Sequence, residues 1–303
     1  VIRLYQMKKY LYTLLLPAFI LACNSASRTD DTDRKKIVTV TIEPQRFFLD
    51  HIVEGAFIIN TLVPPGTSPE TYEPAPSVMM DMGKSDLYFK VGDLGFEKAW
   101  TARLVKNNPN MIIVDCSAGI QLMDGNAHAH SDNDGLDHSH GGMDPHVWSS
   151  PQAVRRFTKN MLDAVVSADP DKKSFYNANF DSLTAKINAT DSIIRGVLRD
   201  ASSKSFIIYH PALGYFARDY GLHQYSIEFE GKAPSPSQMK NLVDVARKEN
   251  INTVFIQRGF DAKNAEVIAK EIGAEVFEVD PLKYEWDAEL VRIASILARG
   301  TDE

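Results

Sequence analysis

Apolar and polar positions along this chain alternate between two periods. From residue 37 onward, short β-branched runs are bounded by polar residues, and stretches with helical spacing follow them. Ile37 to Ile42 reads as a buried strand, Glu43 to Glu54 as a helix and Ala56 to Val63 as a strand. Val78 to Lys84 reads as a short helix, Asp86 to Val91 as a strand, Phe96 to Lys106 as a helix and Asn110 to Val114 as a strand. This is the β-α-β-α rhythm of a parallel α/β layer. It then breaks. Ser150-Pro151 is a helix start with Pro at the first helical position, and Val154, Phe157, Met161, Leu162 and Val165 keep to one face. Asp169-Pro170 opens a second helix running to about Leu198, with a stripe from Phe175 to Val197. A helix of about thirty residues measures roughly 45 Å, a length suited to a rigid spine. The α/β rhythm then resumes. Strands are expected at Ser205 to Tyr209, Leu222 to Ile227, Asn252 to Gln257 and Glu275 to Val279. Helices are expected at Ala212 to Tyr220, from Ser235-Pro236 to Lys248, at Asp261 to Ile272 and at Trp286 to Leu297. The fold class is therefore α/β, two parallel-sheet lobes joined by one long rigid helix.

The first residues read as a targeting segment. Lys8 and Lys9 precede the apolar run Tyr10 to Leu21, which closes in Ile20-Leu21-Ala22-Cys23. The run is too short to span a bilayer comfortably, and Met7 is the expected start. A Cys directly after the small residue resembles a bacterial lipoprotein signal, which implies that Cys23 carries the lipid. The expected organisation is a signal peptide at 1–22, a flexible tether at 23–36, an N-terminal lobe at 37–168 with a His-rich loop at 124–142, a linking helix at 169–202 and a C-terminal lobe at 203–303. The chain has two cysteines. With Cys23 lipidated, Cys116 has no partner within the chain, which excludes a disulfide framework and a Cys-based zinc site. The net charge of −7 argues against a nucleic-acid partner.

The chemistry concentrates around one segment. His128, His130, His138 and His140 stand among Asp, Gly, Asn and Ser, with too little apolar surface to pack a core. Imidazoles and carboxylates in that density form an auxiliary metal-collecting loop. The run Met143-Asp144-Pro145-His146-Val147-Trp148 follows it, with Asp144 placed to cap the next turn. Four candidate ligands stand just after predicted strands. Glu70 lies in a loop stiffened by Pro64, Pro65 and Pro69, with Glu73 as its alternative. His146 follows Asp144-Pro145, His210 leaves a buried strand before Pro211, and Asp280 ends a strand before Pro281. Glu70 and His146 come from the first lobe, His210 and Asp280 from the second. Each residue alone has a bland reading as a cap, turn or packed side chain; their partition between two lobes favours one shared cation.

Pro64-Pro65-Gly66 followed by Tyr72-Glu73-Pro74, then Asp144-Pro145-His146-Val147-Trp148, then Tyr209-His210-Pro211-Ala212-Leu213-Gly214-Tyr215-Phe216 form a specific ordered set. With them the chain resembles the zinc- or manganese-type substrate-binding lipoproteins of bacterial ABC metal importers, in their zinc-binding branch. The resemblance runs from about Ile37 to the end. It implies an extracytoplasmic, membrane-anchored, non-enzymatic monomer that captures a divalent metal and delivers it to a membrane ABC permease. It also implies His146, His210 and Asp280 as ligands, and a His where this chain has Glu70. Two imidazoles and two carboxylates are a harder set than three imidazoles. Zn2+ is favoured by the His-rich loop and by the general order of metal affinities, whereas bidentate carboxylates would suit Mn2+ or Fe2+. Trp148, Tyr215 and Phe216 resemble the family's aromatics near the cleft, although core packing accounts for them as well. The rival from another class is a zinc-dependent hydrolase with Glu73 as base, against which stand the missing His-Glu-x-x-His helix and nucleophile elbow. An adhesin-like surface protein on the same fold is a third reading.

Overall fold

Parallel strands buried on both faces need helices on either side, and within each lobe helices alternate with the strands. The computed structural model describes residues 34–92, 94–125, 142–201, 203–228, 232–260 and 262–299. The expected signal peptide, Cys23 and His128, His130, His138 and His140 lie outside these residues.

The first lobe runs β1 (Ile37–Val40), α1 (Glu43–Val53), β2 (Ile58–Thr61), α2 (Pro76–Met82), β3 (Leu87–Lys90), α3 (Gly95–Asn107) and β4 (Ile112–Asp115). Its sheet is parallel, in the order β2-β1-β3-β4. After a 3-10 turn at Val147–Ser149 come α4 (Pro151–Ala168) and the long α5 (Lys173–Leu198). The second lobe holds β5 (Ser205–Ile208), α6 (Gly214–Tyr220), β6 (His223–Ser226), α7 (Pro236–Lys248), β7 (Thr253–Gln257), α8 (Lys263–Ile272), β8 (Glu275–Val279) and α9 (Trp286–Arg299). Its parallel sheet has the order β6-β5-β7-β8, the topology of the first.

The capping chemistry behaves as the sequence dictates. Ser150 accepts from the Ala153 amide with Pro151 opening α4. Ser235 and Gln238 form a reciprocal capping box at α7, behind Pro236. Some boundaries move. Helix α2 begins at Pro76, because Pro takes the first helical position in preference to the Val78 expected. Helix α6 begins at Gly214 after the turn that Pro211 imposes. Pro170–Lys172 forms a separate 3-10 turn, so the long helix starts at Lys173 and spans 26 residues, about 39 Å in place of the expected 45 Å.

The two lobes are not independent. One apolar core runs from Val38, Val40 and Phe48 through Phe157, Ile187 and Ile194 to Phe206, Phe216, Trp286 and Ile293. Helix α5 packs against α1, α4 and α9, so the last helix of the chain returns to the first lobe. Trp286 is 2% exposed, and its ring meets Phe48 edge-on with centroids 5.0 Å apart. Its indole Nε1 donates to the Trp148 carbonyl at 2.6 Å. The Trp148 indole in turn donates to the Pro281 carbonyl at 2.9 Å. The Tyr284 hydroxyl donates to Asp50 at 3.1 Å. These crossings tie the two lobes by buried, directional contacts.

Replacing Trp286 by Ala is therefore expected to cost about 3–5 kcal/mol of folding stability, since it opens a cavity where the lobes join and leaves the Trp148 carbonyl unpaired. Urea unfolding of the metal-free protein measures it. A loss under about 1 kcal/mol would mean that the lobes are held together elsewhere.

Candidate metal centre

Ligands in open parallel sheets sit beyond the carboxyl ends of the strands. Here the ends of two such sheets face a common cleft. His210 follows β5, Asp280 follows β8, and the loop carrying Glu70 follows β2. His146 arrives after β4 by way of a short antiparallel stalk. Asp124 and Met143 bridge across it, and the Gly125 amide donates to the Gly142 carbonyl at 3.0 Å. The His-rich segment expected at 124–142 is thus entered through Asp124 and Gly125 and left through Gly142. Two residues later come Asp144 and the site.

The two imidazoles meet. His146 Nε2 and His210 Nε2 are 3.2 Å apart. Two nitrogens each about 2.05 Å from one zinc ion and separated by that distance subtend about 100°, close to a tetrahedral angle. Each ring is turned this way by a carboxylate at its other nitrogen. Asp144 Oδ1 accepts from the His146 backbone amide at 2.8 Å and pairs with Nδ1 at 2.7 Å. Glu228 Oε2 pairs with His210 Nδ1 at 3.3 Å. The His210 backbone is held by Gln257, whose Oε1 accepts from the His210 amide at 3.1 Å and whose Nε2 donates to the His210 carbonyl. The Phe260 ring stacks on the His210 ring at 5.6 Å. On the other side the Trp148 ring lies 5.1 Å from His146.

Asp280 lines the same cavity as both imidazoles, together with Gly66–Pro69, Gln257, Arg258 and Phe260. Its Oδ1 accepts from the Leu282 amide at 3.1 Å, and Glu289 Oε1 accepts from its own amide at 2.9 Å. Burial raises its carboxyl, the Leu282 hydrogen bond lowers it and the Glu289 charge raises it, with a net upward shift. Glu70 stands just behind the lining residue Pro69. Its Oε2 accepts from the Gly95 amide at 3.3 Å, and its charge reaches His146. Glu73 is exposed, and Tyr72 packs its ring against Phe96 with centroids 5.8 Å apart. Among the described residues, no group of three or more His, Cys, Asp and Glu stands close enough to hold a metal as placed. The centre is a converged imidazole pair with carboxylates around it, short of a closed ligand shell.

Burial would push the His146 imidazole down, but the charge and hydrogen bond of Asp144, with the charges of Glu70 and Glu228, carry it above its ordinary value. The cavity measures about 40 Å³. That is room for an ion with one or two waters. Its rim is a close backbone approach. The carbonyl of Gly66, from the first lobe, comes so near Gly259, from the second, that a Cβ there would lie 2.5 Å from it, and Gly259 sits at φ +92.

The remaining named side chains fall into the core. Trp148, Tyr215 and Phe216 are buried. The Tyr215 hydroxyl also accepts from the Met123 amide at 2.9 Å and donates to the Asp144 carbonyl at 2.7 Å, fixing the base of the stalk. Cys116 is buried and free, and burial pushes its thiol well up, as in an unreactive structural cysteine. Glu228 was not among the residues picked out from the sequence. The signal that found the others was present, because it too stands just past a strand end.

A profile of the family described as ZnuA, zinc-uptake complex component A, periplasmic, matches residues 38–289. The high-affinity zinc uptake system protein ZnuA of Bacillus subtilis is 30% identical over 273 residues, 87% of this chain and 85% of that protein. A crystal structure of ZnuA superposes with a TM-score of 0.80 at 34% identity, covering 88% of this chain and 98% of that one. The structure of a ZnuA 138–173 deletion mutant with zinc bound gives a TM-score of 0.79 at 33% identity, covering 89% and 99%.

Since a Cβ at Gly259 collides with backbone and forces a strained φ, Gly259→Ala is expected to destabilise the protein by about 1–3 kcal/mol. Thermal unfolding checks this, and an unchanged melting temperature would mean that the loops at Gly66 and Gly259 part freely.

Proposed function

This chain belongs to the ZnuA family of periplasmic zinc-uptake components, and on that premise we propose that it captures Zn2+ outside the cytoplasm and delivers it to the permease of an ABC importer. The observation that carries the reading is the 3.2 Å convergence of His146 and His210 Nε2, one from each lobe. In this reading the two imidazoles hold the cation, and Asp280 and Glu70 close the set by short side-chain movements. All four proposed ligands come from one chain, which is compatible with a monomer. Membership of a family of zinc-uptake components supports cargo binding over catalysis. The Ala22-Cys23 junction supports a lipid anchor at Cys23, which keeps the carrier beside its permease. The His-rich segment, with His128, His130, His138 and His140, gathers zinc ahead of the main site.

The second reading is Mn2+ or Fe2+ as cargo, favoured by the two carboxylates. Two imidazoles at a near-tetrahedral spacing, together with the general order of metal affinities, weigh toward zinc. Titration of the metal-free protein with Zn2+ and with Mn2+ decides it. One tight equivalent of zinc, with manganese weaker by orders of magnitude, is expected. The reverse order would overturn the zinc reading. His146→Ala and His210→Ala should each abolish tight binding without unfolding the chain. Deleting 126–141 should leave one tight site, and its loss would place that segment in the main site.

The pH dependence follows from His146, whose folded pKa lies above the ordinary value of about 6.5. The metal-free fold gains stability from this group below the unfolded value and loses it as pH rises through the raised folded value. The metal needs the neutral ring, so its binding runs the other way. Zinc affinity is full above the raised value and falls as pH drops through it, with proton release on binding near neutrality. Calorimetry in buffers of different ionisation enthalpy reads the protons. A flat affinity down to pH about 5 would remove His146 from the ligand set.

A further inference from the structure

We propose that Glu228 is the positioning residue of the metal centre in the second lobe, holding the His210 ring with its Nδ1 protonated so that Nε2 is presented to the cation. This rests on the reading that His210 is a ligand. The argument begins with strand register. Ile208 in β5 is paired with Ser226 in β6. The ladder continues past both strand ends, with the Ile227 amide donating to the Ile208 carbonyl and the Glu228 amide to the Tyr209 carbonyl, each at 2.9 Å. His210 and Glu228 therefore each stand two residues beyond a paired position. With a side-chain period of two they emerge as neighbours on one face.

The side chains use that adjacency. Glu228 Oε2 lies 3.3 Å from His210 Nδ1, and the two side chains are 11% and 16% exposed. A carboxylate at Nδ1 requires a proton there, which leaves the Nε2 lone pair as the free donor to a cation. Nε2 is the nitrogen that faces His146. Glu228 and the cation position thus lie on opposite edges of the His210 ring, so this carboxylate acts through the imidazole and does not touch the metal. The first lobe solves the same problem with Asp144 at His146 Nδ1, 2.7 Å away. The solutions differ in origin. Asp144 is two residues from its His and set by a local turn, whereas Glu228 comes from the next strand and depends on the sheet being formed. The other supports of His210, Gln257 at its backbone and Phe260 against its face, fix where the ring sits and leave its tautomer open. Glu228 supplies that remaining choice.

The test uses the full mature chain, metal-free, as wild type, Glu228→Gln and Glu228→Ala, with His210→Ala as reference. Zn2+ affinity is measured by competition with a chromophoric chelator, fold integrity by thermal unfolding of the metal-free protein, and the His210 tautomer by 15N-resolved NMR of the imidazole. E228A should keep the wild-type melting temperature and lose roughly 10- to 100-fold in zinc affinity, the usual cost of removing a carboxylate behind a ligating His. E228Q should stay within a few-fold of wild type, because its amide oxygen still accepts from Nδ1–H. His210 should be Nδ1-protonated in wild type and E228Q and lose that preference in E228A. Wild-type affinity in E228A overturns the proposal. So does an E228Q loss as large as that of E228A, which would make the carboxylate a direct ligand. Should E228A fail to fold, the tautomer in wild type decides: Nδ1–H carries the proposal and Nε2–H ends it. A wild-type protein that binds no zinc, or an H210A variant that binds as wild type does, would instead overturn the ligand assignment, while the tautomer result still stands by itself.

Discussion

Two imidazole nitrogens held 3.2 Å apart are the constraint on which the rest of this molecule depends. Like lone pairs at that distance repel unless a proton or a cation lies between them. The protein maintains the arrangement by fixing each ring from behind with a carboxylate. Burial lowers the His146 imidazole, and the charge and hydrogen bond of Asp144 with the charges of Glu70 and Glu228 raise it above its ordinary value. The imidazoles already stand at the separation that the proposed metal needs, so capture requires little rearrangement of the rings.

That geometry survives only if the lobes stay in register, because one imidazole comes from each. The continuous core, the return of α9 across α5 and the relay of indole hydrogen bonds from Trp286 to the Trp148 carbonyl and from Trp148 to the Pro281 carbonyl provide the stiffness. Close-packed interiors are bistable at their interfaces and do not deform smoothly. A permease that shifted the lobes by a small step would therefore separate the nitrogens and weaken the hold on the ion without unfolding either lobe. Binding and release are then two states of one interface, and the Gly66–Gly259 approach lies at the rim where such a step would be felt first.

Much of this was legible in the sequence, and for a physical reason. In a parallel sheet the functional residues collect after strand ends, and a buried strand is visible as a short β-branched run. His210 and Asp280 each follow such a run and precede a Pro, so both the strand and its end were marked. The long helix was legible from its stripe, but its start was not. A Pro at the first position fits a 3-10 turn as well as an α-helix, and only the packing of Lys173 onward distinguishes them. Glu228 followed the same strand-end rule and was passed over because no Pro or His marks it. Its importance comes from its neighbour on the adjacent strand, and strand adjacency is a tertiary fact. Glu70 shows the opposite limit. Its Pro-rich loop reads as a stiff support for a carboxylate, and in the structure its Oε2 accepts from the Gly95 amide, on a helix that sequence spacing could not bring to it.

The Glu70 contact bears on the chemistry of the site, where the family resemblance implies a His. A third imidazole at that position would complete a soft set by itself. A carboxylate adds charge where Asp144, Glu228 and Asp280 already supply it, and that charge strengthens attraction for any divalent cation without selecting among them. Selection must then come from geometry. Two imidazole nitrogens at a near-tetrahedral spacing favour a metal satisfied by four ligands over one that keeps a high coordination number. As long as the Gly95 amide holds Oε2, Glu70 is free to offer a single oxygen to the metal and not a bidentate pair. Two nitrogens near the tetrahedral angle, one oxygen from Glu70 and one from Asp280 would make a four-coordinate site suited to zinc, so the hydrogen bond that restrains Glu70 would keep a hard ligand set from becoming a manganese site.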